Sequence, residues 1–276
     1  MLELEHRFRV VDVHARLDPD EAPSGPTRGR TISPENLERE MHQAAVVRAV
    51  VSAGAREQES YLSANNGVAR LSVGRPFVAF ARINGPRSPD DGPTGRLRNL
   101  RASRKDWHTS PEDVEQYAYD DRFHGFKLDP GVDGLPDEET LDQLEDAGLP
   151  LLVHGGTAFP PSALADTLLE RSIPIIVAHC GGHPLDRELM HETIDMLSRY
   201  DDLHVDTSHV CYRDPLERAL REHPDRVCFG SGAPSAHPNV GVMEMLTLDV
   251  PEDAMRKAFD KNPSRVVPAL APESER

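Results

Sequence analysis

Short apolar runs alternate with longer amphipathic stretches from one end of the chain to the other. The runs LPLLVH, IPIIVAH and AVVRAVV lack the every-other-residue polarity of a strand with one wet face. Strands buried on both faces read this way, as in parallel sheets covered by helices. The pattern predicts strands over residues 8–14, 48–52, 77–83, 123–128, 150–154, 173–179, 203–207 and 226–230. Between them fall helical patterns. Ser33 reads as an N-cap with Pro34 at the first helical position, and Ser110 with Pro111 starts another helix. Residues 57–71 form a helix weakened by Gly67. Further helices are predicted over 137–147, 162–171, 184–200, from Asp214 and Pro215 onward, over 240–248 and over 252–261. Residues 19–30 read as a Pro-, Gly- and Arg-rich turn segment. Residues 85–110 read as a long loop over a barrel mouth rather than a linker, because the alternation resumes at once. Eight strand-plus-helix units predict a closed (β/α)8 TIM barrel, an α/β fold, as one domain over 1–276. No glycine-rich phosphate loop follows the first strand, which excludes a dinucleotide-binding sheet.

Active sites of such barrels lie at the C-terminal strand ends. Ionisable residues recur there: VVDVHAR, FHGFKLDP, LLVHGG, IIVAHCGG and HVDTSH. His14, His154 and His179 each close an apolar strand. Alternation along a strand puts Asp12, His14 and Arg16 on one face, and Lys127 with Asp129 on another. These side chains are candidates to converge on one pocket.

As an ordered set, the motifs resemble the amidohydrolase-related family of metal-dependent hydrolases and decarboxylases. The branch is that of aminocarboxymuconate semialdehyde decarboxylase. The likeness spans the first strand to Asn262-Pro263-Ser264-Arg265-Val266. The family's first-strand H-x-H reads His14-Ala15-Arg16, its fifth-strand ligand matches His154, and its A-H-x-G-G stands intact from Ala178 to Gly182. Its eighth-strand F-G-S-D-x-P reads Phe229-Gly230-Ser231-Gly232-Ala233-Pro234. The resemblance implies a divalent metal, zinc by default, held by His14 and His154, with His179 acting on water or substrate. It implies that Arg16, Lys127, Asp129 and Asp206 face a small, anionic substrate, and that the reaction is hydrolysis or non-oxidative decarboxylation. Relatives are often homodimers.

Two expected ligands are gone. Arg16 replaces a histidine and Gly232 an aspartate, and neither can ligate through its side chain. Two readings stay open. In one, His14, His154 and His179 form a three-histidine site, with Asp129, Asp206, His209 or His237 supplying a further ligand. In the other, the barrel is metal-free and binds an anion or is catalytically silent. Arg16 then stands at the metal's place, balanced by Asp129. Lys127 reads as a structural or substrate-facing cation. Asp12 reads as orienting His14 or capping a loop, and Asp206 as supporting the pocket. Trp107 either covers the pocket or packs on the rim.

The chain carries 47 acidic and 31 basic residues, a net charge of −16. Four of the basic residues are lysines, leaving 31 − 4 = 27 arginines. Such a surface fits a salt-rich, halophilic cytoplasm or, alternatively, a GC-rich coding bias. Nucleic acid and anionic membranes are excluded as natural partners. Cys180, Cys211 and Cys228, an odd number without C-x-x-C spacing, read as buried fillers in a reducing compartment. The charged first residues do not resemble a signal peptide, and no apolar run reaches bilayer length. The expected location is cytoplasmic.

Overall fold

The computed structural model describes residues 7–19, 32–56, 58–90 and 92–272. Residues 1–6, and all of the turn-rich segment 19–30 but Pro19, lie outside the described residues.

Eight strands follow in sequence order, all parallel. They are β1 Val10–Arg16, β2 Val46–Ser52, β3 Phe77–Arg82, β4 Phe123–Leu128, β5 Leu151–Gly156, β6 Ile175–His183, β7 Leu203–Asp206 and β8 Val227–Cys228. Closure comes from Val13 N–H donating to Phe229 O at 2.9 Å and Arg16 N–H to Ala233 O at 2.8 Å. The predicted TIM barrel is the observed one.

Helices cover the outside: α1 Pro34–Gln43, α2 Leu62–Ser72, α3 Pro93–Asn99, α4 Pro111–Tyr119, α5 Pro130–Asp133, α6 Glu138–Ala147, α7 Pro161–Leu164, α8 Arg187–Met196, α9 Arg213–Glu222, α10 Pro238–Leu246, α11 Glu252–Arg256 and α12 Asn262–Val266. The caps read from sequence hold. Ser33 accepts from Asn36 N–H, and Ser110 forms a reciprocal capping box with Asp113. Several boundaries differ: β6 runs to His183 rather than 179, β8 is only Val227–Cys228, and α8 covers Arg187–Met196 of the 184–200 expected. Helix α2 starts at Leu62 rather than 57, and α3 occupies part of the stretch expected to be loop.

Side-chain alternation splits the core in two. Val11, Val13, Val50, Val78, Phe80, Leu152, Ile176, Ala178 and Cys228 fill the barrel interior. Val266, Val267 and Leu270 pack on the same cluster and plug the barrel's N-terminal end. A larger aliphatic shell joins strands to helices. With the interior filled, ligand space is confined to the ends of the barrel. Among the described residues no helix is long and apolar enough to cross a membrane.

Candidate active site

His14 on β1, His154 on β5 and His179 on β6 meet at the C-terminal rim, with ligand nitrogens all within 4.8 Å of one another. Their ring centroids are 5.1, 5.3 and 4.8 Å apart. Each ring is anchored through Nδ1. His14 Nδ1 lies 2.8 Å from Asp206 Oδ2, and His154 Nδ1 lies 3.3 Å from Asp129 Oδ2. His179 Nδ1 lies 2.9 Å from Ser208 O. A carboxylate and a carbonyl only accept, so each Nδ1 carries the hydrogen and each Nε2 keeps a lone pair. Second-sphere acceptors orient metal-ligating histidines in the same way.

One of the three lone pairs, that of His14, faces a cation. His14 Nε2 is 3.3 Å from His154 Nε2, and Lys127 Nζ donates to it at 2.9 Å. His179 Nε2 is buried without a hydrogen-bond partner. Two nitrogens bound at ~2.0–2.1 Å to a tetrahedral metal lie roughly 3.3 Å apart. The His14–His154 pair therefore has metal spacing, and the unpartnered His179 Nε2 is a further donor. Burial pushes His14 and His154 down to about 3, and the charge of Lys127 adds to both shifts. Burial, then His154, holds His179 well below the usual histidine range. All three rings are neutral at pH 7, the form that ligates. The donor set fits a divalent metal.

Burial, then the charges of Arg82 and Arg16, lowers Lys127 to about 7. Arg16, Arg82 and Lys127 line a cavity of about 440 Å³ together with Asp129 and five histidines. Three cations against one lining carboxylate favour an anionic occupant. The histidines include His183 and His209, whose rings lie 4.9 and 5.3 Å from His179. His209 was weighed from sequence and His183 was missed. Its only signal was its place at the end of the sixth strand's motif.

Several expectations are corrected. Arg16 pairs with Asp18 at 3.1 Å, while Asp129 pairs with His154. The ammonium against His14 is therefore Lys127, and the Arg16–Asp129 pairing does not form. The physical reason is that each charge has another partner at hand: Asp18 beside Arg16, and His154 beside Asp129, while Arg16 and His14 still line the same cavity. Asp206, expected to face substrate, is fully buried and its carboxylate is taken up by His14, the His179 N–H and Ser208. Asp12 accepts the His14 N–H at 2.9 Å and binds Ser231, as an orienting residue would. His237 caps α10 and contacts Gln43, outside the cavity lining. Trp107 lines a separate cavity with Asn84. Cys180 and Cys228 are buried, but Cys211 is exposed.

Gly232 has a structural counterpart. A Cβ there would lie 2.3 Å from His209 Nε2. The imidazole of His209 thus occupies the space that an eighth-strand carboxylate would need.

The sequence matches the amidohydrolase family model over residues 11–269. No curated protein matches it. Among solved structures the fold is similar to 2,6-dihydroxybenzoate decarboxylase from Rhizobium. Identity is 15% and TM-score 0.64, covering 95% of this chain and 99% of that one. It is also similar to 5-carboxyvanillate decarboxylase from Sphingomonas paucimobilis, at 15% identity and TM-score 0.63 over 95% and 99% of the chains. A third is a dihydroxybenzoic acid decarboxylase from Polaromonas, with bound manganese and the inhibitor 2-nitroresorcinol. There identity is 13% and TM-score 0.64, over 97% and 99%. At these identities the likeness is one of fold.

Proposed function

The chain belongs to the amidohydrolase family, and from that premise we propose that it is a metal-dependent decarboxylase of a small aromatic carboxylate. The observation that carries this reading is the meeting of three neutral, Nδ1-anchored imidazoles beside three lining cations. His14 and His154 would hold a divalent metal, manganese or zinc. When bound, that ion supplies a Lewis-acid charge against a substrate oxygen.

The remaining work falls to the chain's own residues. Arg16 binds the substrate carboxylate, since a guanidinium matches a carboxylate in shape and charge. Lys127 and Arg82 add positive charge to the same cavity. Asp129 holds the His154 ring, and Asp206 holds His14 and the His179 backbone. Loss of CO2 leaves an electron pair on a ring carbon, and that carbon must gain a proton. With His14 and His154 alone holding the metal, His179 Nε2, unpartnered and in the cavity wall, relays a solvent proton to that carbon; its low proton affinity favours passing the proton on over keeping it. The free cysteines suit a reducing cytoplasm.

A second reading rests on Lys127. Its amine already contacts His14 Nε2 and, when protonated, supplies a positive charge without a metal. Metal analysis separates the two. The expected result is about one equivalent of manganese or zinc per chain after loading, lost on chelation. CO2 release from a panel of hydroxybenzoates is expected to require that metal. Failure to bind either ion in excess, together with no CO2 release, overturns the decarboxylase reading.

A further inference from the structure

At the opposite end of the barrel lies a second cavity, about 590 Å³, larger than the one at the histidines. Its walls come from strand starts and from the C-terminal plug. Arg48 is the third residue of β2 and His124 the second of β4. Lys261, Ser264 and Arg265 belong to the segment that closes the barrel from below. No carboxylate lines this cavity.

That composition is unusual for a chain of net charge −16. Most arginines here have acids beside them. Arg82, buried near the other end, lies 2.9 Å from Asp133. Among the described residues no acid lies within ion-pair distance of Arg48, Lys261 or Arg265, while neighbouring Lys257 reaches Asp225 and Asp253. The Arg48 Nε is buried and has no hydrogen-bond partner. A buried donor left unmade costs about 1–3 kcal/mol. The local field is positive enough to act on a neighbour. Below burial, the charges of Arg226 and Arg265 are the next causes that lower His204. Like charges gathered without acids repel one another, and an anion between them relieves both the repulsion and the unmade bond.

We propose that this basal cavity is a binding site for a phosphate group, held by Arg48, Lys261 and Arg265; the Ser264 hydroxyl in its wall is committed to Asp260. Three fixed cations match a doubly charged oxyanion better than a single carboxylate. The volume leaves room for the organic part of a phosphomonoester. The site is separate from the histidine cavity, so it neither needs nor tests the decarboxylase reading.

Calorimetric titration of the intact protein tests it, at constant ionic strength set with chloride. The probes are inorganic phosphate, phenyl phosphate and malonate. Saturable one-to-one binding of phosphate is expected, weakened about tenfold for each cation removed in Arg48→Ala and Lys261→Ala. Lys261 is exposed, so its substitution leaves the fold intact. His154→Ala, at the other cavity, is expected to leave this affinity unchanged. Tighter binding of phenyl phosphate than of phosphate identifies an ester as the occupant, and equal binding the free ion. Absence of saturable binding, equal affinity for malonate, or loss through His154→Ala with Lys261→Ala silent overturns the proposal.

Discussion

Lys127 Nζ sits 2.9 Å from the nitrogen that His14 would offer to a metal. Two cations cannot share that lone pair, so a metal there binds in competition with the proton of Lys127, whose pKa burial already lowers to about 7. Lys127→Met keeps the length of the side chain and removes the charge. At pH 6, where the amine is mostly protonated, manganese and zinc are expected to bind this variant about tenfold more tightly, read by competition with a chromogenic chelator; weaker binding would show that the amine assists the metal instead. The three histidines were legible because each ends an apolar strand. The Lys127–His14 contact was not, because it depends on how β1 and β4 face each other across the barrel. His204 carries a second residue-scale expectation. Burial, with Arg226 and Arg265, lowers it to about 4. The unfolded chain takes up a proton here below about pH 6.5, while the folded chain resists until about 4. Stability from the neutral ring is therefore whole above pH 6.5 and is lost as the pH falls to 4. The loss comes to about 3 kcal/mol at most. In urea unfolding, the difference between wild type and His204→Asn is expected to shrink across that window; a flat difference from pH 7 to 4.5 contradicts it.

The end of β6 places more of the site than any other element. His179, Cys180 and Gly181 have φ of 59°, 48° and 75°, a left-handed run that turns the chain so the His179 ring enters the cavity. Asp206 Oδ1 accepts the His179 N–H at 2.8 Å and helps hold the run. The Gly181-Gly182 pair signalled a turn, but not two non-glycine residues at positive φ, since local propensity disfavours that and tertiary bonds impose it. For the same reason His209, at φ 55°, was one of several loop candidates rather than a placed residue. Helix starts marked by Ser-Pro caps were legible to within a residue. Helix α3 was not, lying in a stretch dominated by proline, glycine and arginine. A methyl group on Gly181 would meet Thr193 Oγ1 at 2.0 Å. Gly148, at φ 62°, has open space around the same position. Gly181→Ala is expected to cost about 2–4 kcal/mol and Gly148→Ala about 1 kcal/mol. Equal costs in chemical unfolding would mean that the loop after β6 yields, and that the His179 ring is less firmly placed than the contacts imply.

Across the whole molecule, the barrel was legible because fully apolar strands recur eight times, and the charge balance because it needs no coordinates. What coordinates add is the pairing. Arg171 reaches Glu138, Asp142 and Glu145, and Arg218 reaches Asp195 and Glu222, so much of the basic surface is already committed to acids. Sixteen acidic charges remain in excess. Salt acts on these two populations with opposite sign. It weakens exposed pairs, each worth roughly 0–1 kcal/mol, and it relieves repulsion among the excess carboxylates. The excess is long-ranged at low salt and the pairs are short-ranged, so screening is expected to favour the folded state. The melting temperature is expected to rise by several degrees as KCl goes from 0.05 to about 1 M, where the screening length falls to ~3 Å, and then to level off. A rise that continues linearly to 3 M marks exclusion of salt from the surface instead. A fall would show that the paired arginines dominate, and that the acidic bias carries no adaptation to salt.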